Sequence, residues 1–565
     1  MKMINVRSGK PKIITDLKNL VITSAESFGD KTLYIYKEDK TEKFFSYNDN
    51  LKYMNYLGTA LYEIGLMGKH IAIIGDTHPY YLTAYYAAVN GGGVAVPLDK
   101  ELMDNEIINF MNISDVSAVF YTESFNNRLI NYTDRLPNVE YFIPIYPATE
   151  DLANPKVRSI SELFEIGRRA LENGDNNYVN HEINIDSMCA VLFTSGTTGT
   201  SKGVMLSQRN LASNINAACA ATIYDQTHTF VSVLPAHHSY EMTCGHFAIT
   251  NLGSTVYIND SIKNVTRNFS VFKPNSLMLV PLFVETMHKR IWSEIERKGM
   301  TKKVRTAMKL SNILLKIGID MRSKFFGQIR DSFGGNLQSV VCGGAPISPQ
   351  LIKDFYSFGI LIFEGYGITE CAPLVAVNRL NKLRYHSVGI AVDCNEVKID
   401  KTPNDITGEI CVKGDNVMLG YYKNETATKE AFTEDGWFRT GDIGYMDKEN
   451  YIFITGRKKN VIILSNGKNV FPEEIEEHLS HCELIKECVV FGKENANDDI
   501  VITAVIYPDY EKLENKSADE IYEAVKQNVN EINKKLPIFK QVREIKMRET
   551  EFEKTTSKKI KRNKI

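Results

Sequence analysis

A loop rich in glycine and hydroxyl residues, TSGTTGTSKGV at positions 194–204, constrains this chain more than any other segment. An apolar run at 190–193 leads into it and reads as a strand, and LSQRNLASNINAACA after it reads as the opening of a helix. Gly196, Gly199 and Gly203 let backbone N–H groups converge on an anion. Thr194, Ser195, Thr197 and Thr198 add hydroxyls, and Lys202 adds an ammonium. The spacing is not the common GxxxxGK(S/T) nucleotide loop, because Lys202 follows Ser201 rather than glycine. Taken alone, the segment could be a flexible surface loop. Taken with the motifs downstream, it reads as a phosphate cradle.

The first half of the chain alternates strand-like runs with helical patterns: HIAIIGD (70–76), TAYYAAVNGGGVAVPLD (83–99) and VSAVFYT (116–122). That alternation predicts parallel sheets covered by helices. From about residue 385 short strands punctuated by glycine take over, such as VKID (397–400), GEICVKG (408–414) and YIFITG (451–456), which predicts a smaller β-rich subdomain. The last hundred or so residues read as a compact unit with a helix at 472–480, strands at 487–492 and 500–508, and a second helix near 517–536. We expect the domain boundary at Lys459.

Composition narrows the functional classes. The 67 basic and 69 acidic residues nearly cancel, which gives no global electrostatic case for a nucleic-acid partner. Nine cysteines without a CxxC pair argue against a disulfide framework and for a reducing, cytoplasmic setting. No apolar run approaches the ~20 residues that span a bilayer, and the N-terminus lacks a signal-peptide apolar core, so a soluble protein is expected. A long helical stretch over 284–335 carries Lys302, Lys303, Arg305, Lys309, Lys316, Arg322, Lys324 and Arg330, with Ile313, Leu314, Ile317, Met321 and Phe325 as apolar partners. Such a segment, 302–330, can lie on the inner face of a membrane; packing of its apolar stripe on the core is the alternative.

Five further segments join the loop. GGAPIS (343–348), with Gly344, Ala345 and Pro346, is a turn of little bulk where backbone could approach a flat ring. GYGITE (365–370) supplies Tyr366 for stacking, Gly367, the Thr369 hydroxyl and the Glu370 carboxylate, a ligand type suited to Mg²⁺. WFRTGDIG (437–444) offers Asp442, able to accept from both hydroxyls of a ribose. GRKKNVIILSNGKNVFPEEIE (456–476) offers Arg457 for phosphate or ribose, and EKTTSKKIKR (553–562) places lysines near the end of the sequence. His237, His238, Cys244 and His246 could also be read as a zinc cluster, an alternative we set below the others.

These six motifs in this order resemble the acyl-adenylate-forming, AMP-binding synthetases, a family that includes acyl-CoA ligases, adenylation domains and luciferases. The resemblance runs from AYYAAVNGGGVAVPLD to the last lysines. It implies an α/β fold: a large N-terminal domain (1–458) of two parallel-type α/β sheet subdomains plus a small β-rich subdomain (about 385–458). A small mobile α+β C-terminal domain (459–565) follows. It also implies ATP, Mg²⁺ and coenzyme A. By it the loop holds phosphate, GGAPIS with Tyr366 holds adenine, Thr369 and Glu370 address the α-phosphate and Mg²⁺, and Asp442 and Arg457 address ribose. His238 falls beside the reacting carboxylate, Lys459 at the hinge, Gly467 at a coenzyme A contact, and Lys559 on the catalytic lysine. Departures from the family pattern are Ser201 and Glu553 where proline is commoner, Lys558 where glycine is commoner, and a lysine rather than aspartate at the hinge.

Within that resemblance, ILSNGKNVFPEEIE and the long segment after VPLFVETMHKRIW look like long-chain fatty acyl-CoA ligases. The expected substrates are a fatty acid, ATP and coenzyme A, with no obligatory protein partner. An acyl-adenylate ligase loading a carrier-protein phosphopantetheine and a non-catalytic nucleotide or lipid sensor are the alternatives.

Overall fold

The computed structural model describes residues 11–125, 128–145, 154–194, 201–403, 405–464, 469–494, 499–514, 516–554, 560–562 and 565. Met1–Glu396 with Lys413–Glu430 form one compact unit, and Val397–Val412 with Ala431–Ile565 form a second.

In the first unit a seven-stranded sheet runs in the order Gly420–Tyr421, Lys202–Ser207, Met188–Thr194, Val94–Leu98, His70–Ile74, Val116–Tyr121, Tyr141–Pro144. The last five pair in parallel. Val94–Leu98 and Val116–Tyr121 are buried at every position, which is why the sequence there is continuously apolar rather than alternating. Met188–Thr194 and Lys202–Ser207 pair antiparallel, with Thr194 opposite Lys202. The helix expected at LSQRNLASNINAACA is present, and the strand Lys202–Ser207 ahead of it is the addition. The motif joins two strands of a hairpin, and the helix Gln208–Ala221 starts one strand later, capped by the Ser207 hydroxyl accepting from the Asn210 N–H at 3.1 Å. GVMLS pairs on both edges, with Met188–Thr194 and with Gly420–Tyr421, which fixes it as a strand.

A nine-stranded mixed sheet completes the unit, with Thr229–Ser232, Thr255–Ile258, Ser276–Leu279, Ser339–Gly343 and Leu361–Gly367 in parallel and Leu374–Val377 returning antiparallel. The single helical stretch expected over 284–335 is three helices: Pro281–Arg297, Thr301–Lys316 and Arg322–Asp331. Gly299 and Gly318 break it, at φ +67° and +85°, their N–H groups donating to Glu296 and Leu315 carbonyls at 2.8 and 3.0 Å. Only glycine takes up that left-handed geometry cheaply, so helices end there.

In the second unit, Asn395–Asp400, Gly408–Gly414, Phe438–Met446 and Ile452–Arg457 form a four-stranded sheet. Helices Pro472–Ser480 and Ala518–Asn533 pack with the sheet Ile485–Glu494, Ile500–Pro508, Glu544–Met547 around Ile475, Leu479, Ile502, Ile506, Val525 and Val529. The helix at 472–480 and the strand at 500–508 lie where expected, and the strand at 487–492 and the helix near 517–536 differ only at their ends; Glu544–Met547 carries no alternation long enough to read. Among the described residues no helix is long and apolar enough to cross a membrane. All nine cysteines are free thiols.

Candidate active site

In the first unit the expected phosphate, metal and acyl positions meet at the stem of the 194–204 loop. Ser195, Gly196, Thr197, Thr198 and Gly199 lie outside the described residues. Thr194 and Lys202, which flank them, are paired across the hairpin, and the Thr194 hydroxyl donates to the Lys202 carbonyl at 3.4 Å. The Lys202 ammonium sits 4.7 Å from the centroid of the Tyr421 ring, and the Tyr421 hydroxyl donates to Glu370 Oε1 at 3.0 Å. One tyrosine thus links the loop lysine to the carboxylate expected at the metal. Tyr421 was not foreseen, because GYYKN has no feature of its own that marks it. The Glu370 carbonyl also accepts from the Met418 N–H at 2.8 Å, tying residues 418–421 to this corner twice.

Thr369 and Glu370 lie in a short 3₁₀ turn just past the strand Leu361–Gly367. Glycines clear the strand ends beside them. A Cβ at Gly343 would come within 3.2 Å of the Gly365 carbonyl oxygen, and one at Gly367 within 2.4 Å of the Pro373 carbonyl oxygen. Gly344, at φ +91°, Ala345 and Pro346 are exposed, while Tyr366, on the strand Leu361–Gly367, is 7% exposed. The result is a floor of bare backbone with an open side, suited to a flat ring.

The loop carrying the histidines converges on the same corner. Ser239 Oγ is 3.4 Å from Thr369 Oγ1, and the Tyr240 hydroxyl donates to the Val341 carbonyl at 3.0 Å. His237 Nε2 lies 3.5 Å from Asp99 Oδ2 and its ring is 4.3 Å from that of His238. His237 is engaged by Asp99, and His238 is the residue joined directly to Ser239 and so to the Thr369 turn. Beyond them the chain winds as a π-helix, Glu241–Phe247, a widened turn that often marks functional regions. Glu241 is buried there, its Oε1 bonded to the Ser232 hydroxyl, and burial pushes its carboxyl up to about 8. Burial likewise pushes His246 down to about 3 and the Cys244 thiol up to about 12. Neutral, dispersed groups of this kind do not make a zinc site, and no cluster of three or more metal-type side chains exists among the described residues.

The second unit carries the expected ribose residues. Asp442, on the strand Phe438–Met446, is directly opposite Arg457 at the end of Ile452–Arg457. Arg457 Nε lies 2.7 Å from Asp442 Oδ1, with the aspartate side chain 6% exposed and the arginine 38% exposed. Gly441, at φ +71°, turns the backbone just ahead of the aspartate. Lys459 follows in a 3₁₀ turn, Lys458–Asn460; its ammonium is pulled below the usual lysine range by burial and then by Arg457 and Arg562. Gly467, Lys558 and Lys559 lie outside the described residues. Next to the lysines, Lys554 and Ile560 bridge antiparallel, the Lys561 N–H donates to the Glu553 carbonyl at 2.8 Å, and Arg562 pairs with Glu476. Phe552 and Ile560 pack on Val489 and Val505.

A family model described as AMP-binding enzyme matches residues 22–422, and one described as AMP-binding enzyme C-terminal domain matches residues 459–565. A peroxisomal long chain acyl-CoA synthetase 6 of Arabidopsis thaliana is 27% identical over 83% of this chain and 69% of its own length. Fatty acyl-CoA synthetase A of Dictyostelium discoideum is 26% identical over 96% of this chain and 83% of its own. The solved adenylation domain of a carboxylate reductase from Mycobacterium chelonae superposes with a TM-score of 0.77 at 20% identity, covering 97% of this chain and 89% of that one, a likeness of fold alone.

Proposed function

Because the chain belongs to the AMP-binding enzyme family, we propose that it activates a long-chain fatty acid with ATP, as an acyl-adenylate, and passes the acyl group to the thiol of coenzyme A. AMP and pyrophosphate leave. The observation that carries the reading is the meeting of Lys202, Tyr421, Glu370, Thr369 and the Ser239 loop at one strand end. The names borne by the relatives support a fatty acyl substrate and coenzyme A as acceptor.

A carboxylate is a poor electrophile, because direct thiol attack would have to expel oxide. Joining it to AMP makes a mixed anhydride whose leaving group is a phosphate monoester. The fatty acid is already ionised at neutral pH, so the first step needs no general base. It needs negative charge held and neutralised at the α-phosphate while the carboxylate oxygen attacks and pyrophosphate departs. In our reading Thr194 and Lys202, with the loop between them, hold the leaving phosphates, Thr369 the α-phosphate, and Asp442 with Arg457 the ribose. His238 shapes the acyl site.

Glu370 fits Mg²⁺. Among the described residues no three metal-type side chains cluster, and one protein carboxylate completed by substrate phosphates and water is how Mg²⁺ is commonly held. Bound there, Mg²⁺ would supply charge neutralisation at the phosphates. By the family resemblance we assign Lys559 to adenylation only, with rotation about Lys459 removing it before the thiol enters, and Gly467 to the coenzyme A side. The free cysteines support a reducing, cytoplasmic setting, and peripheral contact of 302–330 with a membrane belongs to the same reading.

A panel of carboxylic acids tested for AMP release checks this. Long-chain fatty acids should release pyrophosphate on adenylation and AMP on transfer to coenzyme A, with sustained turnover only when coenzyme A is present. ADP and orthophosphate would overturn adenylation. Turnover with carrier-protein phosphopantetheine but not coenzyme A would overturn the acceptor, and ligand binding without turnover would favour a sensor. A narrower expectation concerns Tyr421→Phe, which keeps the ring beneath Lys202 and deletes the donor to Glu370. A hydrogen bond to a carboxylate is worth about 1.5–3 kcal/mol, so kcat/KM for ATP should fall by about tenfold or more. An unchanged value would show that Tyr421 does not hold Glu370 in place.

A further inference from the structure

The helix Thr301–Lys316 has two apolar faces where a helix on a domain surface needs one. Its inner face, Val304, Ala307 and Met308, packs on the core of the nine-stranded sheet, and Ser311 on that side is fully buried. On the other side Leu310, Ile313 and Ile317 stand at i, i+3 and i+7, exposed to 47%, 60% and 69%. Beside them Lys302, Lys309 and Lys316 repeat every seven residues along the helix, all exposed, and none of the three pairs with a carboxylate among the described residues. Residues 297–319 hold seven basic side chains and no acidic one, in a chain whose net charge is −2. The core accounts for the inner stripe; nothing among the described residues accounts for the outer one.

We propose that this outer face is a docking surface for an anionic lipid bilayer, with the helix lying in the plane of the headgroups. Leu310, Ile313 and Ile317 enter the acyl boundary, and the lysine row contacts lipid phosphates. Charge complementarity selects an anionic surface. The aliphatic strip selects a bilayer over a nucleic acid, which would gain nothing from three branched hydrocarbon side chains. Lysine suits this role because it is a point charge without the planar fork used for specific phosphate recognition, and the one arginine on the helix, Arg305, lies against the Trp292 ring, 5.0 Å from its centroid. The inference needs no catalytic assignment, so vesicle binding can fail while ligase activity stands, and the reverse.

Flotation of the full chain with vesicles tests it, comparing pure phosphatidylcholine with phosphatidylcholine mixed with phosphatidylglycerol. The chain should bind the mixed vesicles and release them in high salt. A single surface lysine contributes about fivefold to such binding, so K302E/K309E/K316E should weaken it by at least about tenfold. I313S/I317S should weaken it by a similar factor while leaving every charge in place. Both variants should keep the thermal unfolding midpoint of the parent chain, which shows that they are folded. Equal binding to the two vesicle types, or full binding by either variant, would overturn the proposal. Absence of vesicle binding together with charge-dependent binding to an oligonucleotide would replace the bilayer with a polyanion partner.

Discussion

Replacing Lys559 with alanine should slow acyl-adenylate formation by about a hundred- to a thousandfold, the usual cost of losing one preorganised donor at a developing charge. Yet the same variant should convert supplied acyl-AMP and coenzyme A to thioester at a near-normal rate. The asymmetry follows from the proposed rotation about Lys459, by which a lysine that serves the phosphate in one arrangement is absent from the other. Lys558→Ala is the control. Ile560 bridges Lys554, and Arg562 pairs with Glu476, so the flank of Lys559 is anchored in one register, and the neighbouring lysine should matter little. Quenched-flow measurement of each half-reaction separates the cases. Equal losses in both steps would remove the two-arrangement mechanism, and a larger loss for Lys558→Ala would move the role from Lys559 to Lys558.

Asp442→Ala should lower ATP affinity by at least tenfold. Two ribose hydroxyls lose an ionised acceptor, each such bond being worth roughly 1.5–3 kcal/mol. The structure adds a second consequence. Arg457 Nε is 2.7 Å from Asp442 Oδ1, and the aspartate is almost wholly buried, so truncation leaves a guanidinium facing a void. Asp442→Asn separates the two effects: it keeps the shape and removes the charge. ATP affinity should fall for both variants, and thermal stability should fall more for alanine. A titration that finds unchanged ATP affinity in folded Asp442→Ala would take Asp442 out of the site.

Much of this site was legible in the sequence because its parts are local. A run such as GYGITE or RTGDIG carries its own turn and its own functional group: the first closes the strand Leu361–Gly367, and the second lies within Phe438–Met446, turned by Gly441 at φ +71°. What sequence could not give was who faces whom. Asp442 and Arg457 are fifteen positions apart, and only the hairpin register places them opposite each other. Tyr421 reaches Glu370 across fifty-one positions, a contact with no periodic signature. The strand in KGVMLS is hidden in the sequence because the run is short and begins with a charge and a glycine; two flanking strands make it a strand. The basic stretch over 284–335 looked continuous because helical periodicity survives a single glycine, whereas Gly299 and Gly318 each end a helix. Glu241 gave no sign of its burial: a carboxylate in a loop motif is ordinarily solvated, and here the π-helix turns it inward.

The central claim is that the fatty acid's own carboxylate oxygen attacks the α-phosphate of ATP. A fatty acid carrying the heavy oxygen isotope in its carboxylate, incubated with ATP, Mg²⁺, coenzyme A and the protein, tests it in one mass spectrum of the products. Attack at the α-phosphate followed by thiol attack at the carbonyl must leave one labelled oxygen in AMP and none in pyrophosphate. Label in orthophosphate alongside ADP would contradict the account, as would AMP released without label.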